Sequence, residues 1–253
     1  MSKARKPLIA GNWKMHKTVA ETHAFFAELR RRALPLDEVD AVVCPPFTAL
    51  AAAYEEVAGT NIGLGAQNVN WAAEGAFTGE VSAPMLAELG VRWAVIGHSE
   101  RRALFGELDF RVNEKARIAL AYGITPIVAV GETEEQHAAG LARETVCAQV
   151  NAAFAAIPVA DVARCVVAYE PIWAIGTGRA DTPDGANAIM GEIRAAVDGL
   201  QDVRILYGGS MNPANVASFV AQPNIDGGLV GGASLDPTSF AALLAGAHQG
   251  ALA

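Results

Sequence analysis

A chain of 253 residues, 52% hydrophobic and 18% charged, has ample material for a folded core and is neither disordered nor highly solvated. Its net charge of -8 argues against nucleic acid or an anionic membrane as partner, since both need a basic face. An anionic small molecule would need a local positive field set against the global charge. Cys44, Cys147 and Cys165 are odd in number, far apart and without CxxC spacing, so they read as small hydrophobes and indicate neither a disulfide framework nor a zinc site.

The chain opens on a basic stretch from Met1 to Pro7, but Leu8-Ile9-Ala10 is too short for the apolar region of a signal peptide. No run approaches the ~18 apolar residues of a membrane span. The expectation is a cytoplasmic protein without a membrane partner. Strand-like runs follow at Pro7 to Trp13, Ala41 to Cys44, Asn61 to Gln67, Trp93 to Gly97, Thr125 to Val130, Cys165 to Glu170, Arg204 to Tyr207 and Gly227 to Val230. Their starts recur about every 31 residues, the length of a βα unit, and most are continuous apolar runs, as expected where both faces of a parallel sheet are buried.

Helical patterns fill the intervals. Phe25, Phe26 and Leu29 form one stripe of the first, and Ile118 with Leu120 to Ala121 belong to the fourth. Thr182-Pro183, Asn212-Pro213 and Asp236-Pro237 each put a capping side chain directly before a proline suited to the first helical turn. Eight units without a linker or a composition shift fit one α/β domain over residues 1–253, a closed parallel (β/α)8 barrel, better than an open sheet. An open sheet usually carries a phosphate fingerprint after its first strand. Ala10-Gly11-Asn12-Trp13-Lys14 has none, and Gly63-Leu64-Gly65 is too weak to count.

In such a barrel the strands' carboxyl ends share one rim, where the loops make the site. Asn12 and Lys14, two apart, share a face at the end of the first strand, with Trp13 opposite. The fourth strand gives His98 and, after Ser99, Glu100; the fifth gives Glu132; the sixth ends in Glu170, on the same face as Val166 and Ala168. Of five lysines, Lys14 alone stands at a strand end, and of five histidines His98 alone reaches the rim. A lone histidine is by default a satisfied core or surface residue; sharing a rim with an acid and a lysine favours a role. After Glu170 comes Pro171-Ile172-Trp173-Ala174-Ile175-Gly176-Thr177-Gly178, apolar for a surface loop and closed by glycines, which suits a movable cover. A buried carboxylate before an ordinary turn is the competing reading. Gly208-Gly209-Ser210 and Gly231-Gly232 follow the seventh and eighth strands, where main-chain N–H groups can converge on an oxyanion and where barrels frequently bind phosphate. Plain tight turns are the alternative for either pair.

These motifs resemble the triosephosphate isomerase family from end to end, namely Ala10 to Met15, Gly65-Ala66-Gln67-Asn68, Gly97-His98-Ser99-Glu100-Arg101-Arg102, Ala168 to Gly178, Tyr207-Gly208-Gly209-Ser210 and Leu229-Val230-Gly231-Gly232-Ala233. The resemblance implies a TIM barrel that interconverts dihydroxyacetone phosphate and glyceraldehyde 3-phosphate with neither metal nor organic cofactor. This family is itself a standard worked case of a neutral catalytic histidine and of loop closure, so the roles are carried over by resemblance. Glu170 resembles the base, made more basic by desolvation. His98 resembles the electrophile, as neutral imidazole. Lys14 supplies fixed positive charge with Asn12 beside it, and Glu100 resembles the residue that orients Lys14 and joins proton transfer. Gly176, Ser210, Gly231 and Gly232 resemble the phosphate clamp.

The long loop Val69 to Gly79, with Trp71 and Phe77, matches the segment that enters a neighbouring subunit in the family. It implies a homodimer with Thr78 near the partner's first catalytic loop. Departures are few: Ala129 stands where the family often has cysteine, and Arg179-Ala180-Asp181 replaces a more usual lysine-threonine pair. The rival readings are a Schiff-base aldolase on the same barrel, with Lys14 as nucleophile, and a sugar-phosphate-binding module without catalysis. Glu170 stands where the former would want an amine, and the latter would not need acid, base and lysine on one rim.

Overall fold

The computed structural model describes residues 5–175 and 181–253. The strands are β1 (Leu8–Asn12), β2 (Asp40–Cys44), β3 (Ile62–Ala66), β4 (Trp93–Ile96), β5 (Thr125–Val130), β6 (Val166–Tyr169), β7 (Arg204–Tyr207) and β8 (Gly227–Val230). All neighbours pair in parallel and the ring closes, with Leu8 beside Asp40 on one side and Gly227 on the other. The expected barrel is present, and the strand bounds differ from the sequence reading by at most two residues at either end. The helices described are α1 (Val19–Leu29), α2 (Leu50–Val57), α3 (Ala83–Glu88), α4 (Ser99–Phe105), α5 (Asp109–Ala121), α6 (Glu134–Ala138), α7 (Ala142–Phe154), α8 (Val159–Val162), α9 (Pro183–Ala196), α10 (Val216–Val220) and α11 (Pro237–Leu252). Among these none is long and apolar enough to cross a membrane.

Alternation along each strand divides the core in two. Leu8, Ala10, Val42, Val95, Ile127, Val166, Ala168 and Leu206 fill the barrel interior. Ile9, Val43, Val167, Tyr169, Ile205 and Tyr207 face outward into the layer under the helices, where Phe25, Phe26, Leu29 and Phe240 meet them. Burying each large side chain there contributes roughly 1.5–3 kcal/mol, so both faces of every strand must be apolar and the runs read as continuous. Gly63 and Gly65, too weak as a phosphate signal, serve this packing instead. A Cβ on Gly63 would lie 2.9 Å from the Trp93 indole nitrogen, and one on Gly65 would strike the Cys44 sulfur.

Two of the three proline-marked helix starts are as expected: Thr182 accepts the Gly185 N–H at 3.0 Å and Asp236 that of Ser239 at 2.8 Å. Asn212 departs from the pattern. Its side chain accepts from Ala214 at 2.9 Å in a turn, and α10 begins only at Val216, because the cap satisfies a local turn before the helix is reached. Cys44 and Cys165 are buried free thiols whose pKa burial pushes up to about 12, while Cys147 is only partly covered.

Candidate active site

Leu8 and Ala10 face the barrel interior, and the same parity carries Asn12 to the interior rim. Trp13 points the other way and packs edge-on against Phe25, ring centroids 4.8 Å apart. Lys14 does not follow strand alternation, contrary to the sequence reading. β1 ends at Asn12, and Lys14 adopts a left-handed backbone with φ of 53°, a conformation costing a residue with a Cβ roughly 1–2 kcal/mol. Asn12 Oδ1 accepts the Lys14 N–H at 3.1 Å, and the Gln67 amide donates to the Lys14 carbonyl at 2.8 Å. Held so, the Lys14 ammonium lies 2.6 Å from Glu100 Oε1.

His98 follows β4 and caps α4. Its Nδ1 accepts the Glu100 N–H at 3.1 Å, which requires a lone pair on that nitrogen and places the proton of the neutral ring on Nε2. Nε2 stands 2.9 Å from Glu170 Oε1, and the other carboxylate oxygen accepts the Ser99 N–H at 2.8 Å. Glu170 is 2% exposed and follows β6 with the interior parity of Val166 and Ala168. Gly208 makes room for it, since a Cβ there would lie 2.8 Å from Glu170 Cγ.

The electrostatics of the pair differ from the simple desolvation expected from sequence. Burial acts to raise the Glu170 carboxyl, but the His98 ring, by charge and hydrogen bond, and the Ser99 N–H outweigh it and hold the group below its ordinary value. Burial likewise acts to lower His98, and the Glu170 and Glu100 carboxylates reverse this to a net rise. Each partner therefore favours the ionised form of the other while they touch.

Behind this pair lies a second buried carboxylate. Glu107 accepts the Gly97 N–H at 2.9 Å, Arg101 Nε at 2.7 Å and Lys115 Nζ at 2.6 Å, and Lys115 also donates to Asn68 at 2.8 Å. Lys115, on α5, is 2% exposed. Gly97 adopts φ of 72°, and a Cβ on it would press on Val112, Arg102 and the Ala129 carbonyl, so the turn that presents His98 is built around glycine.

A cavity of about 460 Å³ opens at the rim and is lined by Asn12, Lys14, His98, Glu170, Ile175, Gly208, Gly209, Ser210, Gly231 and Gly232. Gly232 starts the 3-10 turn Gly232–Ser234, whose leading N–H groups have no partner within the turn, and a Cβ on it would meet nothing within 4 Å. Glu100 lies outside this cavity. It lines the neighbouring groove with Met15, Phe47, Gln67 and Phe105. Gly176, Thr177 and Gly178 lie outside the described residues. Glu132, placed on the rim by sequence, is fully buried and engaged by the Trp173 indole at 2.8 Å and the Tyr169 hydroxyl at 3.1 Å. Among the described residues no three His, Cys, Asp or Glu side chains gather as a metal would need.

Residues 7–247 match the triosephosphate isomerase family. The chain belongs to that family. It is similar to the triosephosphate isomerase of Chloroflexus aurantiacus, 54% identical over 242 residues that cover 93% of this chain and 97% of the relative. It is similar to that of Symbiobacterium thermophilum at 50% over 251 residues, 97% and 98% of the two chains, and to that of Solibacter usitatus at 50% over 246 residues, 95% and 99%. Within the family frame, the supports missed by sequence reading are Gln67 and Ser99, which both fall inside motifs already conspicuous: Gly65 to Asn68 and Gly97 to Arg102. Their contribution comes through an amide and a main-chain N–H, which residue type does not announce.

Proposed function

We propose that residues 1–253 act as one catalytic domain that interconverts dihydroxyacetone phosphate and glyceraldehyde 3-phosphate through an enediolate, in glycolysis and gluconeogenesis. The observation that carries this reading is the contact of Glu170 with His98 inside a cavity that also holds Lys14, Asn12 and the glycines of the last two loops. Glu170 takes the proton from the carbon beside the carbonyl and returns it to its neighbour. His98 Nε2–H donates to the carbonyl oxygen, with the Lys14 charge and the Asn12 amide favouring the negative charge that develops there. Ser210, Gly231 and Gly232 hold the phosphate, so binding energy far from the bond change fixes the reacting carbons. Gly176 joins them by resemblance. Glu100 orients the Lys14 ammonium.

Substrate must part Glu170 from His98. Once parted, Glu170 loses the His98 ring, the largest effect that lowers its pKa, while burial remains, so its basicity rises as the proton is to be taken. His98 loses the carboxylate that favours its cation and keeps the Glu100 N–H on Nδ1, which favours the neutral donor. Ile175, on the cavity wall, supports the reading that the apolar segment after Glu170 covers the reacting atoms. The aldolase reading weakens here, because the Lys14 ammonium is bound to Glu100 and a Schiff-base nucleophile needs a free amine.

The homodimer belongs to the same proposal. Trp71 is partly covered by its own chain, with Arg111 4.0 Å over its ring and Phe77 edge-on at 5.4 Å, so it is not the free aromatic expected from sequence. Phe77 remains 38% exposed, and the groove beside the catalytic residues offers Met15 at 94% and Phe105 at 68% exposure to such a loop from a second copy. The free thiols suit a cytoplasmic setting. A coupled assay run from each triose phosphate tests the activity: turnover in both directions is expected, and its absence from the folded protein overturns the reading. Sedimentation at micromolar concentration tests the dimer, and a fully active monomer removes it.

A further inference from the structure

We infer that His137, on α6, is a positioning residue for the turn that carries the catalytic base: it stacks on Trp173 and faces the buried Glu132 carboxylate that anchors that turn. Glu132 holds Ile172–Ala174 at two points. Its carbonyl accepts the Ile172 N–H at 3.1 Å, and its Oε1 accepts the Trp173 indole N–H at 2.8 Å. The turn begins two residues after Glu170, so its seating determines where Pro171 and the carboxylate stand. Glu132 is fully buried, yet its Oε2 has no hydrogen-bond partner, and a buried carboxylate with an unmet oxygen is an incomplete anchor.

His137 adds a further contact from the solvent side, at the oxygen that Trp173 and Tyr169 already engage. Its ring lies 4.4 Å from the Trp173 ring at 33°, and its Nδ1 lies 3.5 Å from Glu132 Oε1. The side chain is half-exposed. The titratable groups facing this cluster are Glu132, Tyr169, Tyr207 and Asp181. Asp181 begins the segment preceding α9 and donates its N–H to Tyr207 at 3.0 Å, and the His137 charge is felt at its carboxyl. His137 thus acts on two carboxylates, Glu132 and Asp181. The mechanism makes no other use of Glu132 or His137.

The inference rests on Glu170 as the base, and the test separates the two. The folded protein carries 5-fluorotryptophan, with the Trp173 resonance assigned from Trp173→Phe, and its ¹⁹F shift is followed against pH beside isomerase kinetics. In the parent chain the resonance changes with pH; in His137→Phe, which keeps the ring contact and lacks the charge, that change is lost. His137→Ala lowers kcat by about tenfold, inside the ~10²-fold that a misplacement of 1 Å causes. KM stays within about twofold, and His137→Phe, which keeps the ring contact, recovers most of kcat. A Trp173 resonance insensitive to pH and to both substitutions overturns the inference whatever the kinetics. Unchanged kcat in His137→Ala overturns it as well. Absence of isomerisation in the parent chain overturns the reading of Glu170 and leaves the ¹⁹F result to decide on His137.

Discussion

Glu170 and Glu107 are both buried carboxylates held near the same turn, and their partners set them apart. Glu107 has two permanent cations and a main-chain N–H, and its pKa falls because Lys115 and Arg101 together outweigh the opposing effect of burial. Glu170 has one main-chain N–H and a neutral, titratable ring, and it faces an open cavity. The first arrangement has nothing to exchange; the second can give up one partner to a ligand and return to it. Burial alone therefore does not mark a functional acid. What marks it is an exchangeable partner beside open space.

The strongest way to break the comparison is Glu170→Gln. It should lower turnover by at least the ~10²–10⁴ attributed to acid–base catalysis while inorganic phosphate still binds, and near-normal turnover in a coupled assay would put Glu170 on the same footing as Glu107. Glu107→Ala should act on the fold, leaving Lys115 buried without its counter-charge at a cost of about 3–5 kcal/mol in chemical denaturation. A stability change below about 1 kcal/mol would mean the network is dispensable. Gly208→Ala sharpens the contrast by crowding Glu170: the new Cβ presses on Glu170 Cγ at 2.8 Å and on the Tyr169 carbonyl at 3.1 Å, and a fall in kcat of about tenfold with little change in melting temperature is expected.

The smallest effect is a pH shift. Because Glu170 is held below its ordinary value of 4.5, its ionised form stabilises the fold above that pH, and this contribution is lost as pH falls through the lowered value. In acid denaturation this loss should accordingly lie below 4.5, and His98→Gln, which removes the ring that most lowers Glu170, should move it upward. A loss that stays in place would show that Ser99, not His98, governs the Glu170 carboxyl.

The strands were legible because burial on both faces writes itself as unbroken apolar runs, and parity then placed Asn12 and Glu170 on the interior rim. Lys14 was assigned to the rim for a reason that does not apply. Its position depends on a left-handed turn held by Gln67 and Asn12, and nothing in the residue type of lysine signals positive φ. The burial of Lys115 was not legible, because its acceptors, Glu107 and Asn68, come from elsewhere in the chain. Gly208 was read for phosphate, yet the space it leaves also admits Glu170, a requirement visible only once β6 and β7 are side by side.

The hydrogen bond between His98 and Glu170 amounts to a lock that recognises its own key by competition. An ion that fills only the glycine-lined end has no means of separating the two side chains. A molecule that brings both an acceptor for Nε2–H and an acidic carbon for the carboxylate replaces each lost contact as it enters. Discrimination between a spectator anion and a reactive sugar phosphate is therefore built into the resting chemistry of the pocket, ahead of any reaction.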